Sequence, residues 1–212
     1  VIGFHDLIEI GTVYSHVIAE MYRKGFDNVS IFLSGEIKWY YLEKLFFPLN
    51  FINVFFGDKI FFFTETIFKK ILAYFAFYLL AKSIQTSKFD SALGAFLYVS
   101  IIDLISLNGL GLSLMPYILY LLINKRILKF KHYLAIIFIG LNTTFAQDIF
   151  AVVLMFFLSF FLRNEKKGFK ENFILFLYIF TPILVVNLHM ILGSLLSDVE
   201  IHRHSFITNT RD

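Results

Sequence analysis

A short run near the start of the chain combines the side chains that general acid–base chemistry uses. His5-Asp6-x-x-Glu9 places an imidazole and two carboxylates within one helical turn if this segment is helical. A carboxylate in such a run can deprotonate a hydroxyl group or hold a metal ion. His5, Asp6 and Glu9 are therefore the first candidates for a functional site.

A second polar run lies near the end of the chain, at Glu200-Ile201-His202-Arg203-His204. In an extended strand Glu200, His202 and His204 share one face, a spacing that can ligate a divalent metal. Two imidazoles and one carboxylate from one local run are a weak metal signal. A loop whose polar side chains are all hydrogen-bonded is favoured over a metal site. A role for Arg203 in pairing with a phosphate is favoured over both. Whether a divalent metal is a cofactor stays open.

The composition indicates that most of the chain lies in a solvent other than water. Hydrophobic residues make up 58% of it, phenylalanine supplies 29 of the 212 residues, and the mean hydropathy is +0.73. Ordinary soluble domains are about 45–50% apolar. Cysteine is absent, so no thiolate metal site is available. The chain begins at Val1 without a signal peptide, and we expect it to be a piece of a longer protein.

The apolar stretches predict an all-α fold, a polytopic membrane helix bundle. Residues 91–124 and 133–162 are too long for single spans of roughly 20 residues, and each breaks at turn chemistry into a hairpin. We predict a loop over 1–60, a bundle over 61–193 and a second loop over 194–212. The spans are predicted near 67–86, 91–106, 109–124, 133–145, 147–162 and 173–193. Pro116 and Pro182 are predicted to kink their spans rather than break them.

Basic residues predict the orientation, because cytoplasmic loops are rich in lysine and arginine. The connections near 82–90, 125–132 and 163–171 are strongly basic and are predicted to be cytoplasmic. Residues 1 to about 60, the tips near 103–110 and 141–148 and the tail then face outward. Asp103 and Asp148 lie at those tips. Acids at a membrane boundary are functional candidates, but helix capping is favoured for both, which leaves them as supporting polar residues together with His204.

The first sixty residues read as amphipathic segments rather than spans. Thr12–Arg23 has a helical spacing of apolar residues, and 36–53 crowds aromatic residues beside charged ones. A helix in the headgroup layer and a surface helix packed on the bundle are equally favoured. Lys69 and Lys70 fall early in the first span. We expect them to extend to the outer interface, with Glu65 one turn before Lys69.

The chain resembles a bacterial multi-pass membrane protein family of unknown function, which itself resembles the GT-C glycosyltransferases. The resemblance runs over most of the chain and includes the amphipathic first outer loop. Its specific residues are the His5-Asp6-x-x-Glu9 run, the turn Asn108-Gly109-Leu110-Gly111 ahead of Pro116, and His202-Arg203.

This resemblance implies an enzyme of the bacterial plasma membrane that transfers a sugar from a polyprenyl-phosphate donor to a cell-envelope acceptor. By the same similarity Asp6 is the catalytic carboxylate. The chemistry of the other residues fits this reaction: Arg203 and His202 would bind the departing phosphate, Glu9 would be a second acid or a metal ligand, and His5 would orient them. The expected partners are the lipid-linked sugar and membrane lipid, with no nucleic acid. A lipid-linked sugar transporter or flippase and a non-catalytic membrane scaffold remain as alternatives.

Overall fold

The protein was analysed as a computed structural model, which describes residues 16–25, 42, 44–105, 110–125, 127–142, 145–162 and 168–196. Every regular element in these ranges is a helix and none is a strand, which confirms the all-α prediction for this part of the chain. The helices are α1 (16–24), α2 (Asn50–Phe56), α3 (Asp58–Ser83), α4 (Lys88–Ile105), α5 (Leu110–Ser113), α6 (Met115–Asn124), α7 (Phe130–Leu141), α8 (Phe145–Phe161), α9 (Phe169–Val186) and α10 (Leu188–Leu196).

Helix α6 is the centre of the bundle. It packs against α3, α8 and α9, and it is apolar on nearly every side, with Met115, Ile118, Leu121 and Leu122 all buried. A helix that is hydrophobic all round needs this central position. Helix α4 packs chiefly on α3, and α7 packs chiefly on α9. The consecutive helices of the two predicted hairpins are therefore not each other's main packing partners in the described residues.

The α3–α4 turn shows how the local sequence ends one helix and starts the next. Gln85 adopts a φ of 68°, a left-handed conformation that reverses the chain. The Ser87 hydroxyl accepts a hydrogen bond from the Asp90 backbone N–H at 3.1 Å and donates one to the Asp90 carboxylate at 2.6 Å. Ser87 thus caps the start of α4, and Asp90 lies in its first turn, where a negative charge is favoured.

Two of the predicted spans are interrupted. A turn at Leu114 separates α5 from α6, and a turn at Asn187 separates α9 from α10 within the predicted span 173–193. Pro182 lies inside α9, which continues through it without a break. Pro116 lies in the first turn of α6 instead of kinking a span, because a proline there lacks only an N–H that has no helical partner.

One described helix, Phe169–Val186, is long and apolar enough to cross a membrane by length and composition. The helices α6 and α7, and residues Ile149–Phe161 of α8, are apolar but shorter. The outer faces of the helices are nevertheless unusually apolar. Exposed large hydrophobic side chains on α3, α4, α8 and α9 include Ile67, Ile71, Phe75, Leu93, Phe96, Leu97, Leu154, Phe157, Phe173, Ile174 and Leu177.

A smaller layer formed by α1, Leu42, residues 44–49 and α2 lies against one end of the bundle. Its own apolar core contains Val17, Met21 and Leu45, while Phe47 joins the main core and contacts Phe138 at a ring distance of 5.3 Å. The helix predicted within Thr12–Arg23 is confirmed over 16–23 and continues to Lys24. In the described part of 36–53, residues 44–49 form turns and α2 starts at Asn50, while Phe47 packs on the bundle. The choice between a headgroup-layer helix and a surface helix for this segment stays a prediction.

Charged side chains of α1 are paired along the exposed surface of this layer. The Lys24 ammonium hydrogen-bonds the Glu20 carboxylate and holds the pKa of Glu20 below its ordinary value, although partial burial opposes this shift. Arg23 also approaches Glu20, with Nη1 3.5 Å from Oε1. Such pairs one turn apart give a helix modest support.

Candidate functional site at the Asn142 end of the bundle

The bundle has two chemically different ends. The lysine end is where α3, α6 and α8 finish and where α4, α7 and α9 begin, beside the basic connections. The Asn142 end is where α7 and α9 finish and α3 begins, and the small layer of α1 and α2 covers it. Leu42 and the start of α10 also belong to the Asn142 end, since His189 approaches the Leu42 carbonyl.

Most of the predicted site residues lie outside the described part of the chain. These are His5, Asp6, Glu9, His202, Arg203 and His204. The backbone places Asp103 in the last turn of α4 and Asp148 in the first turn of α8, and their side chains lie outside the described set. At the position of Asp148, near the start of α8, the helix dipole stabilises a negative charge. Asp103 cannot cap the start of its own helix, because it lies near the end of α4.

A buried polar contact joins α3 to the end of α7. The Asn142 side chain is fully buried, and its Nδ2 donates to Glu65 Oε1 at 3.4 Å. The Asn142 backbone carbonyl accepts the Gly111 N–H at 3.2 Å, which ties the start of α5 to the same point. Asn142 begins an Asn-x-Thr triplet, but its buried, bonded amide is not placed as a glycosylation acceptor in this fold.

Lys69 lies one helical turn beyond Glu65 on α3 and faces the bundle. It is only 8% exposed and shares its face with Ala73 and Ala76, which are buried. The expectation that the Lys69 side chain extends to the outer interface is therefore wrong, because its face of α3 is covered by other helices. A buried ammonium group is costly unless it is compensated, which makes its position an indicator of a functional or structural polar site.

Asn187 lies at the turn between α9 and α10 and forms a hydrogen bond to α7. Its Nδ2 donates to the Gly140 carbonyl at 3.0 Å and to the Ile183 carbonyl at 2.9 Å, and the residue is 2% exposed. The helices can approach this closely because Gly140 has no side chain. A Cβ there would lie 2.7 Å from Val186 Cγ2. This contact lies at the turn between α9 and α10.

Two segments that are distant in sequence meet at the same place. His189 on α10 approaches the Leu42 carbonyl, with Nε2 3.3 Å from the oxygen. Its ring also meets the Phe46 ring edge-to-face at 5.2 Å. The segment around Leu42 and helix α10 are thus in direct contact through His189.

The lysine end holds a second set of buried polar side chains. Asn172 donates to the Ser159 hydroxyl at 2.8 Å, and Ser159 donates in turn to the Phe156 carbonyl at 2.7 Å. The carbonyl oxygen of the Asn172 side chain is buried without a hydrogen-bond partner. His132 accepts the Lys129 backbone N–H at 2.9 Å and closes the start of α7. Buried polar groups are therefore not confined to one end of the bundle.

The Asn142 end supplies an amide, a carboxylate and a buried ammonium in an apolar surrounding, where polar interactions are stronger than in water. Among the residues that the structure describes, no group of three His, Asp or Glu side chains is placed to hold a metal ion. Sequence reasoning missed Asn142 and Asn187 as structural contacts. In the sequence each is a single asparagine at the end of an apolar run. An ordinary turn has the same pattern, so the pattern does not predict a contact between helices.

Comparisons with known proteins identify no relative. No protein family model, curated protein or solved structure matches the chain.

Proposed function

We propose that the chain is a polytopic membrane protein whose bundle crosses the bilayer about six times, with the Asn142 end outside. The exposed apolar side chains of α3, α4, α8 and α9 support this proposal, because soluble monomers rarely expose contiguous apolar patches of more than a few hundred Å². Buried polar residues such as Asn142, Asn172 and Asn187 support it further. Polar groups inside a membrane face the bundle interior.

The short helices are compatible with this placement. At about 1.5 Å per residue, the 18 residues of α9 extend about 27 Å, close to the roughly 30 Å of a hydrocarbon core. Helix α4 also has 18 residues but carries Lys88, Asp90 and Asp103, all within a turn of its ends. The α6 and α7 helices would need a locally thinner bilayer or polar residues that reach to the interface.

We propose further that the protein is a membrane glycosyltransferase that takes its sugar from a polyprenyl phosphate. Asp6 deprotonates the acceptor hydroxyl, with Glu9 and His5 beside it, and Arg203 and His202 hold the departing phosphate. The sugar–phosphate bond breaks as the acceptor oxygen bonds to the sugar, and the polyprenyl phosphate leaves with its negative charge near Arg203.

The contact between His189 and Leu42 is the observation that most supports this function. It joins the segment leading from the His5-Asp6-Glu9 run to the helix that leads into the His202-Arg203 tail. A site built from the two distant runs needs such a meeting point. The buried Lys69 adds a cation to the same end of the bundle, where a lipid phosphate would approach between the helices.

The test is release of free polyprenyl phosphate by the protein in a bilayer, supplied with a panel of polyprenyl-phosphate sugars. We expect Asp6→Asn to reduce release by at least about a hundredfold, the usual contribution of general acid–base catalysis. Glu171→Gln is the matched control, because it also neutralises one carboxylate but lies exposed in the first turn of α9 at the lysine end. Full release by Asp6→Asn at normal protein level would refute the proposed role.

A lipid-linked sugar transporter is the second candidate. Its support is the interruption of the predicted spans at Leu114 and Asn187, together with the buried charge of Lys69, since transporters use broken helices and interior polar groups. Movement of a labelled lipid-linked sugar between leaflets, without release of polyprenyl phosphate and with loss in Lys69→Met, would select the transporter over the enzyme.

A further inference from the structure

Helix α2 and the start of α3 carry an apolar surface that the rest of the described chain leaves open. Phe55 is 75% exposed, Phe56 is 66% exposed and Phe63 is 67% exposed. Phe51 and Ile60 are about half exposed. We call these five residues the α2–α3 elbow. Exposed aromatic residues at this density mark an interaction surface rather than ordinary surface variation.

The opposite face of α2 is fixed to the protein, so the elbow is a supported surface and not a loose segment. Asn50 and Asn53 are buried, and Asn50 Nδ2 donates to the Lys44 carbonyl at 2.7 Å and to the Leu45 carbonyl at 3.1 Å. The Phe51 ring also meets the Tyr22 ring at 5.4 Å. The aromatic side chains therefore project from a helix whose orientation is set by its polar contacts.

Carbonyl groups at the end of α2 accept hydrogen bonds from the protein itself. Arg23 Nη2 donates to the Val54 carbonyl at 2.7 Å and to the Asn53 carbonyl at 3.1 Å, and its Nε donates to Val54 at 3.2 Å. The Gly57 N–H also donates a hydrogen bond to the Asn53 backbone carbonyl at 2.9 Å. The last carbonyls of a helix ordinarily bond to solvent, and leaving them without partners in a lipid phase is costly. Arg23 removes part of that cost.

The chain bends sharply directly after this helix. Gly57 has a φ of 84° and a ψ of 169°, a backbone region that essentially only glycine occupies. The bend separates α2, which at 7 residues is far too short to cross a membrane, from the long α3. Lys59 follows the bend as an exposed cation, suited to the phosphate groups of a lipid surface. The outward apolar side chains then continue along α3 through Phe63, Ile67 and Ile71.

We propose that the α2–α3 elbow is inserted into the boundary between the headgroups and the acyl chains of a lipid bilayer, on the Asn142 side. Its aromatic side chains enter the acyl layer, Lys59 contacts lipid phosphate, and Arg23 keeps the carbonyls of α2 bonded at that depth. The elbow thereby sets how deeply the Asn142 end lies in the membrane. This inference uses the membrane placement proposed above and does not depend on the sugar chemistry.

The test is depth-dependent fluorescence quenching in phosphatidylcholine vesicles. The chain has a single tryptophan, Trp39, so Trp39→Phe gives a dark background into which Phe55→Trp is introduced. One vesicle set carries bromine on the acyl chain near the headgroup and the other carries it near the chain end. Phe75→Trp is the matched control, because Phe75 is also an exposed phenylalanine but lies about two thirds of the way along α3, far from the elbow.

We expect the Phe55→Trp emission to be quenched more strongly by the shallow bromine than by the deep one, and Phe75→Trp to show the reverse order. Quenching of Phe55→Trp by aqueous acrylamide alone would overturn the inference, and so would quenching by neither reagent, which would mean that protein covers the elbow. If Phe55→Trp does not fold, Phe56→Trp takes its place. Loss of bromolipid quenching at Phe75→Trp as well would instead show that the membrane placement itself is wrong.

Discussion

Replacement of Gly140 by alanine tests the closest helix contact at the Asn142 end. An added Cβ would lie 2.7 Å from Val186 Cγ2 and 3.2 Å from the Ile183 Cα atom, so both a side chain and the backbone of α9 must move. Movement of α9 also stretches the 3.0 Å bond from Asn187 to the Gly140 carbonyl. We expect Gly140→Ala to destabilise the protein.

The magnitude follows from three terms. Overpacking costs about 1–3 kcal/mol, a weakened hydrogen bond costs about 1 kcal/mol, and alanine regains about 1 kcal/mol over glycine within a helix. The net loss is about 1–3 kcal/mol. For a chain of this size that corresponds to a fall in Tm of roughly 2–12 °C, measured by helical circular dichroism during heating in one detergent.

Two further variants make this result specific. Gly94→Ala is the matched control, since Gly94 is also inside a helix but its nearest neighbour, at 3.1 Å, is a ring carbon of Phe77 that can rotate away. We expect its Tm to stay the same or rise slightly. Gly140→Ala combined with Val186→Ala removes the closest clashing atom and should lose less than the sum of the two single losses. A Gly140→Ala protein as stable as the wild type would refute the proposed contact.

Three other perturbations have defined outcomes in the same unfolding assay. Gly57→Ala should cost about 1–3 kcal/mol, because alanine is strained at the φ of 84° observed there. Asn187→Leu should cost more than Asn172→Leu, because the first removes two buried hydrogen bonds, to the Gly140 and Ile183 carbonyls, whereas the second removes one, to Ser159, together with an unsatisfied oxygen. Because the pKa of Glu20 is lowered, its ionised carboxylate contributes fully to folding stability above pH 4.5, the ordinary value. This contribution is lost as the pH falls through the lowered pKa, and Glu20→Gln should remove that acid-dependent loss. Each interpretation has a result that contradicts it: equal losses of stability in Asn187→Leu and Asn172→Leu, wild-type stability in Gly57→Ala, or a wild-type loss of stability in acid for Glu20→Gln.

The helical class and most of the helix positions could be predicted because they follow from apolar run length and turn chemistry. The basic connections marked helix ends well, as the Ser87 cap shows at the α3–α4 turn. The interruptions at Leu114 and Asn187 were not predicted. Both positions lie in apolar surroundings, and the tertiary contacts that stabilise them, such as the bond from Asn187 to α7, connect residues distant in sequence.

The polar residues of the candidate site were harder to predict than the helices. Run length and charge cannot show which face of α3 turns inward, so Lys69 was assigned to an exposed interface although it is buried. Glu65 and Asn142 lie 77 residues apart, and only the packing of α3, α5 and α7 brings them together. The roles proposed for Asp6 and Arg203 rest on residue chemistry and resemblance, and they stay predictions.

The central claim is that the bundle spans a membrane with the Asn142 end outside, and labelling of single cysteines tests it most directly. The chain contains no cysteine, so each introduced thiol is the only one to react. Lys24→Cys lies on α1 at the Asn142 end, and Ile127→Cys, at a position 82% exposed, lies in a connection at the lysine end. With a membrane-impermeant maleimide on intact cells, we predict labelling of Lys24→Cys at once and of Ile127→Cys only after lysis. Labelling of both before lysis, or of Ile127→Cys alone, would contradict the account.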